Sequence, residues 1–206
     1  MKKFFILIII SCLFYSCSPL FNGIYGLKKQ KTLSQNQIQH TARKYSIPVE
    51  SSFVLDTTFF TYLGQFDSLI YQNSRNNHAQ PLQVLYFDSL NQLVSYQVNC
   101  YAGGFPNLKW NRNNAFENFP PSQQAPIDSL ISFEKQLYFI KSLNGTNEKL
   151  ILNDSSLTVF VYWNRFMGRQ SKRLIKLVQK NAALAKDNNL QVIYINNDNI
   201  YSNKLK

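Results

Sequence analysis

The chain has 206 residues, of which 45% are hydrophobic and 15% aromatic, enough for one globular domain with a substantial core. This composition excludes a disordered stalk, because disordered chains are poor in aromatic residues. The net charge of +11 favours contact with anionic lipid headgroups or acidic envelope polymers, although a basic, well-solvated surface would give the same balance.

Residues 1–17 have the layout of a bacterial export signal. Lys2 and Lys3 precede an apolar run from Phe4 to Ile10, and Ser16-Cys17 adds a small residue followed by a cysteine. The apolar run is too short for a permanent transmembrane helix. This segment resembles the signals of bacterial lipoproteins, in which the cysteine receives lipid, including palmitate, and becomes the mature N-terminus.

The resemblance implies a signal peptide at 1–16, lipid attachment at Cys17, a tether at 17–32 and a single domain at 33–206. Cys12 is the alternative lipid site, and it would leave an apolar core at the short limit. We expect a protein of the bacterial cell envelope, anchored by lipid in the outer membrane and facing the periplasm. Its partners would then include the membrane but no nucleic acid.

Cysteine usage gives this domain no disulfide framework. If Cys12 leaves with the signal and Cys17 carries lipid, Cys100 is the remaining thiol and cannot form an intramolecular disulfide. Cys100 ends an alternating apolar run, where we expect a buried structural thiol. A divergent thiol-dependent oxidoreductase that uses Cys100 is an alternative function.

The first half of the chain alternates short helical and β-rich segments. A Ser cap and the Ile47-Pro48 boundary predict a helix at 34–45. Further patterns predict a β-rich segment at 53–60, a helix through 63–70, a polar loop at 74–78, and strands at 82–87 and 93–98. The connection between these two strands has the length of a hairpin loop.

A long irregular loop is predicted at 101–126, where Gly103-Gly104 stands among four prolines and five asparagines. Its aromatic and amide side chains suit the binding of a glycan or a peptide. Alternatively, the aromatic side chains pin the loop to the core. The candidate binding residues in this loop are Phe105, Trp110 and Arg112.

The last part of the chain predicts an α/β fold. A helix is expected from Asp128 to Asn144-Gly145, with apolar residues on one side through Ile140. Buried strands are expected at 157–163 and 190–195, separated by a helix at 169–186. Strands joined by so long a crossover are parallel. The apolar stripe of this last helix is Leu174, Leu177, Val178 and Ala182.

Residues 159–198 resemble the first βαβ unit of thioredoxin-like proteins. Within that family, the resemblance is to the membrane-tethered thiol–disulfide oxidoreductases and the peroxiredoxin-related redoxins. Trp163 matches the Trp that ends the strand, and Phe166 takes the aromatic position before the first cysteine. Met167 and Gln170 fall on the two positions of the Cys-x-x-Cys pair. Neither side chain can form a thiolate or resolve a mixed disulfide, so the resemblance implies a domain without dithiol chemistry.

The order of elements departs from this family. After its βαβ start, a thioredoxin domain continues with a helix, a cis-proline, a β-hairpin and a final helix, whereas the hairpin here comes first. Two interpretations remain open. One is a permuted thioredoxin-like three-layer sandwich with a mixed sheet and Pro81 at the cis-proline position, and the other is a simpler α/β sandwich.

Other catalytic patterns are absent from the sequence. His40 and His78 have no metal-ligand partner at useful spacing, and exposed polar histidines are expected. Asp88 and Asp128 are explained by turns and helix caps. There is no nucleophile elbow, phosphate loop or dinucleotide fingerprint. We therefore predict no catalytic residue, no cofactor and no metal.

A basic stripe follows the last helix at helical spacing. It could bind an anionic group, or it could simply be a solvated helix face. The predicted function is binding of a protein or peptide partner through loop 101–126 or through turn 164–170, which includes Phe166. The alternative is binding of an envelope polymer or lipid headgroup through the stripe. The stripe consists of Arg169, Lys172, Arg173, Lys176 and Lys180.

Overall fold

The computed structural model describes residues 26–99, 110–143, 157–185 and 189–203. Several sequence predictions therefore lie outside the described residues, namely those for the signal segment, Cys17, Cys100, Phe105 and Asn144-Gly145. The described residues form six α-helices, six strands and one 3-10 helix.

Helices and strands alternate along most of the chain. The α-helices are α1 (Gln35–Lys44), α2 (Phe59–Leu63), α3 (Ser68–His78), α4 (Phe133–Tyr138), α5 (Arg169–Ala182) and α6 (Asp198–Asn203). The strands are β1 (Ser52–Leu55), β2 (Gln83–Asp88), β3 (Leu93–Val98), β4 (Ile140–Ser142), β5 (Leu157–Trp163) and β6 (Leu190–Asn196). The 3-10 helix spans Arg112–Glu117.

The strands form one mixed sheet in the order β3-β2-β5-β6-β1-β4. Strands β5, β6 and β1 run parallel, while β2 and β4 pair antiparallel to β5 and β1, and β3 pairs antiparallel to β2. The β5–β6 register runs from Leu157 opposite Leu190 to Trp163 opposite Asn196. The α/β class, the mixed sheet, the hairpin and the parallel strand–helix–strand unit predicted from the sequence are confirmed.

Two hydrophobic cores lie on the two faces of this sheet. Strand β5 sends Val159, Val161 and Trp163 into the first core and Phe160 and Tyr162 into the second. The first core packs under α1, α5 and the 3-10 helix, and the second packs under α2, α4 and α6. This burial on both faces explains why the sequence of β5 is a continuous apolar run.

The helix predicted at 34–45 is confirmed as α1. Ser34 and Gln37 form a capping box, in which each side chain accepts a hydrogen bond from the other residue's backbone N–H. At the other end of α1, the Tyr45 hydroxyl donates to the carbonyl oxygen of Gly168 at 3.2 Å. Helix α1 is therefore tied to the turn that precedes α5.

Two predictions for the next segment need correction. The β-rich segment predicted at 53–60 ends at Leu55, and α2 follows it. The polar loop predicted at 74–78 is wrong, because α3 continues to His78. Asn77 and His78 are both buried, and tertiary contacts of this kind outweigh the weak helix propensity of a polar run.

The helix predicted from Asp128 is shorter than its apolar spacing indicated. Helix α4 begins after Ser132, whose hydroxyl oxygen accepts a hydrogen bond from the Lys135 N–H, and it ends at Tyr138. Residues 140–142 then pair with β1 as strand β4. The apolar residues on both sides of α4 still enter the second core, so their spacing indicated burial correctly and helix length wrongly.

Helix α5 begins where it was predicted and ends earlier, at Ala182. Leu177 and Ala182, two members of the predicted apolar stripe, are only half-buried. The buried face also contains polar residues that simple apolar spacing could not assign to it. The residues of the buried face, polar and apolar together, are Gln170, Ser171, Leu174, Ile175, Val178 and Asn181.

Buried Asn181 connects α5 to the 3-10 helix region and to the sheet. Its Nδ2 donates to the carbonyl oxygens of Phe116 at 2.8 Å and Asn118 at 2.6 Å. Its Oδ1 accepts a hydrogen bond from the Tyr86 hydroxyl at 3.0 Å. Burial raises the pKa of Tyr86, which keeps this hydroxyl a neutral donor.

We expect the substitution Asn181→Leu to lower the free energy of unfolding by about 2 to 3 kcal/mol, because it leaves two carbonyls and one hydroxyl without a partner. Urea denaturation of both proteins measures this difference. The neighbouring exposed Lys180→Ala serves as a control and should change stability by less than about 0.5 kcal/mol. Equal effects of the two substitutions would contradict the stabilising role that we assign to the Asn181 hydrogen bonds.

Candidate functional site

The turn between β5 and α5 lies at the carboxyl end of the parallel strands. It follows Trp163, which is buried and packs edge-on against Tyr45 with ring centroids 5.7 Å apart. Gly168 closes the turn with φ +48°, and a Cβ at this position would lie 1.9 Å from the carbonyl oxygen of Gly26. The close approach and the positive φ together require glycine at position 168.

Amide side chains hold this turn against the start of β2. Asn164 Nδ2 donates to the Pro81 carbonyl and to Asn197 Oδ1, each at 2.9 Å, and Asn197 Nδ2 also donates to the Pro81 carbonyl at 2.9 Å. Asn164 Oδ1 accepts a hydrogen bond from the Met167 N–H at 2.9 Å. The Ser171 hydroxyl donates to the Asn164 carbonyl at 2.6 Å. The conformation of the turn is therefore set by buried polar contacts.

Pro81 lies beside this turn, but its peptide bond with Gln80 is trans. Among the described residues, the cis peptide bond is the one between Phe119 and Pro120. The expectation of a cis-proline at position 81 is therefore wrong.

A buried carboxylate at the start of α6 supports the same turn. Asp198 Oδ2 accepts hydrogen bonds from the Arg165 N–H at 2.7 Å and from Asn196 Nδ2 at 2.9 Å. Burial raises the pKa of Asp198, and these hydrogen bonds only partly offset the effect. The first contact holds the backbone of the turn and the second ties Asp198 to the end of β6, which explains Asp198 as a structural group.

Met167 and Gln170 occupy the positions that the family resemblance assigns to the redox cysteines. Met167 is half-buried and packs against the first core. Gln170 lies in the first turn of α5 and is only 2% exposed, and its amide has no hydrogen-bond partner among the described residues. No thiol is present at either position, so this turn cannot carry out dithiol exchange.

The N-terminal segment, residues 26–33, covers the turn from outside. The Lys28 N–H donates to the Phe166 carbonyl at 2.8 Å, and Arg165 Nη2 donates to the Lys29 carbonyl at 2.8 Å. Phe166 itself is buried and contacts the Tyr201 ring at 5.4 Å between centroids. Turn 164–170 was predicted as a partner surface, yet this chain's own backbone already occupies much of it.

The described part of the predicted loop, residues 110–126, packs onto the domain. Trp110 is 1% exposed and Phe116 is 4% exposed, and both belong to the first core. Arg112 begins the 3-10 helix. The burial of these rings favours the interpretation in which the aromatic residues pin the segment to the core.

A buried histidine network was missed by the sequence analysis. His78 was expected to be exposed, but it is 1% exposed, with Nε2 2.9 Å from Asp128 Oδ1 and Nδ1 3.3 Å from the Tyr96 hydroxyl. The Tyr96 hydroxyl donates to Gln83 Oε1 at 2.8 Å. Because both ring nitrogens are engaged, His78 has no free nitrogen for catalysis. His78 and Asp128 lie 50 residues apart, so no local spacing could pair them.

An open groove lies on the second-core side of the sheet. Its volume is about 630 Å³, and it runs between the β2–β3 loop and the segment that leads into α4. Leu90 is 73% exposed and Ile127 is 40% exposed at this groove. The charged residues that line it are Asp128 and Glu134, both acidic. The groove thus combines exposed apolar side chains with negative charge.

The predicted basic stripe is exposed on the opposite side of the domain. Every one of its five members is solvent-exposed on α5, while the buried side of this helix packs into the first core. Arg169 and Arg173, both predicted binding residues, are therefore accessible. The stripe and the groove are separated by the sheet.

Comparison with protein-family models, with curated proteins and with solved structures found no match to this chain. Within the described ranges, no group of three or more His, Cys, Asp or Glu side chains could hold a metal ion. None of the helices in the part of the chain that the structure describes is both long and apolar enough to cross a bilayer.

Because of the contact between His78 and Asp128, we expect the folded state to lose stability at acid pH. Burial raises the pKa of Asp128, but the His78 ring and the Leu130 N–H outweigh it, so the pKa lies below its ordinary value of 3.8. A lowered carboxyl pKa stabilises the fold above the unfolded-state pKa, and this stabilisation is lost as the pH falls through the folded-state value.

We therefore expect Asp128→Asn to be less stable than the wild type at neutral pH, with a difference that shrinks below about pH 4 as Asp128 becomes protonated. Urea unfolding at neutral and acid pH measures both values. Glu50→Gln, at an exposed position, is the control for removing one carboxylate. A difference between wild type and Asp128→Asn that stays constant with pH would count against this account.

Proposed function

We propose that this protein is a lipid-anchored protein of the bacterial cell envelope whose redox-inactive, thioredoxin-like domain binds a protein or peptide partner. The observation that carries the proposal is the β5–α5–β6 unit. In this unit, Trp163 ends the first strand, a tight turn follows, and Met167 and Gln170 stand where the family has its cysteines. A scaffold with this turn and no thiol retains surfaces for binding but not the family's chemistry.

The sheet order supports the thioredoxin-like interpretation. The β2–β3 hairpin lies beside β5 and runs antiparallel to it, so the hairpin flanks the first strand of the βαβ unit. In the thioredoxin family the hairpin follows this unit along the chain, whereas here it precedes it. The arrangement is therefore proposed as a permuted thioredoxin-like sandwich, with Pro81 packed beside the turn.

The groove is the proposed partner site. The N-terminal segment covers turn 164–170, and Trp110 and Phe116 are buried, whereas Leu90 and Ile127 are exposed at the groove. Its apolar lining and the exposed carboxylate of Glu134 suit a peptide segment with an apolar side chain next to a basic one. Burial of the apolar side chain would supply affinity, and the acidic rim would favour a basic partner.

The anchor is tested by labelling cells with a palmitate analogue. The wild-type protein should take up the label, and Cys17→Ser should not, because the thiol is the acceptor atom for lipid. Cys12→Ser is the matched control and should retain the label. Label that persists in Cys17→Ser and disappears in Cys12→Ser would move the anchor to Cys12.

Partner binding is tested by cross-linking the protein in intact cells and identifying the attached proteins by mass spectrometry. Leu90→Asp should reduce recovery of the main partner several-fold, because it places a charge where an apolar side chain docks. Leu184→Asp is the control, since Leu184 is 49% exposed and does not line the groove. Equal recovery from both variants would reject the groove, and adducts of lipid or glycan alone would favour the basic stripe.

A further inference from the structure

Positive charge is segregated onto one side of this domain. Residues 26–47 and 157–185 contain eleven Lys and Arg and no Asp or Glu, whereas the other described residues contain four basic and eight acidic side chains. Both stretches contribute to the first core, because α1 and α5 pack on the same face of the sheet. The exposed cations of this basic face are Lys28, Lys29, Lys31, Arg43, Lys44, Arg169, Lys172, Arg173, Lys176 and Lys180.

The N-terminal segment meets the basic face at Arg169 and is held at its other end by α6. The backbone of Gly26 lies against Arg169, since a Cβ on Gly26 would be 2.9 Å from Arg169 Cγ. The Leu33 N–H donates to Asn199 Oδ1 at 2.7 Å, and Thr32 Oγ1 lies 3.0 Å from Ser202 Oγ. These contacts hold residues 26–33 on the domain instead of leaving them as a free spacer.

The position of Gly26 limits how far the basic face can be from the lipid. The chain from Cys17 to Gly26 spans at most about 30 Å even when it is fully extended. Leu27, between Gly26 and Lys28, is 37% exposed and adds an apolar side chain to this face. The start of α5 is therefore the part of α5 that a lipid on Cys17 would bring closest to a bilayer.

We infer that the basic face docks flat on the surface of an anionic bilayer and orients the domain, an inference that rests on the proposed anchor at Cys17. The α1 and α5 stretches contain no carboxylate that would repel anionic headgroups. Because the attraction acts within a Debye length, an anchor that holds the domain close to the surface strengthens it. The groove, on the other side of the sheet, then faces away from the lipid and stays open to a partner.

The test is amine footprinting of the full lipidated protein in phosphatidylcholine vesicles, with and without phosphatidylglycerol. An impermeant amine reagent modifies the lysines, and mass spectrometry gives the rate at each site. Lys172, Lys176 and Lys180 should react several-fold more slowly when phosphatidylglycerol is present, and added salt should restore their rates. Lys141, outside the basic face, is the internal control and should react at the same rate in both vesicles.

Two double charge-reversal variants distinguish docking through the basic face from a general effect of net charge. Lys172→Glu combined with Lys176→Glu should remove the protection of Lys180. Arg75→Glu combined with Lys141→Glu makes the same change in net charge outside the basic face and should leave Lys180 protected. Protection that is unchanged in the first variant would overturn the inference.

The mass of the N-terminal peptide reports lipid attachment separately. A lipidated protein whose Lys172 and Lys176 react equally fast in both vesicles would overturn the docking face and leave the anchor standing. A protein without lipid that still shows the salt-sensitive protection would remove the proposed anchor and support the docking face. Protection by an anionic polysaccharide, with none from vesicles, would reject the bilayer as the partner.

Discussion

Burial of strand β5 on both faces is the constraint on which the rest of the structure depends. Its side chains alternate between the two cores, with Val161 on one side and Phe160 on the other, so helices must cover both sides of the sheet. Parallel pairing with β6 requires a crossover, and α5 provides it. The β5–α5 turn consequently lies at the carboxyl end of the parallel strands, a position that often holds binding sites in α/β proteins.

At this turn, buried polar contacts hold the backbone in place. Asn164 and Asn197 bridge to the backbone at Pro81, and Asp198 holds the N–H of Arg165. The N-terminal segment packs over the turn, so the chain itself covers much of this part of its surface. The surfaces that we propose for binding, the groove and the basic face, lie elsewhere, and the sheet separates the two.

Elements with a strong local signal in the sequence were predicted correctly, and segments without one were misassigned. The apolar run of β5 and the hairpin spacing of β2 and β3 are signals that lie within a few residues, and both were predicted correctly. The segment 74–78 was misassigned because its polar composition carries no helix signal, whereas burial of His78 against Tyr96 holds it in α3. Helix α4 was overextended because apolar spacing reports burial on the second core without specifying whether the backbone is helix or strand.

The sequence by itself determined the α/β class, the parallel unit around α5 and the absence of thiols at positions 167 and 170, since these follow from residue identity and short-range periodicity. The tertiary structure decided which polar residues of the chain are buried. It also decided their partners, as in the pairing of His78 with Asp128 across 50 residues. It also decided that the N-terminal segment lies on the turn and that the basic side chains of α1 and α5 share one face. These outcomes depend on contacts between distant segments, and such contacts exist only once the sheet has brought those segments together.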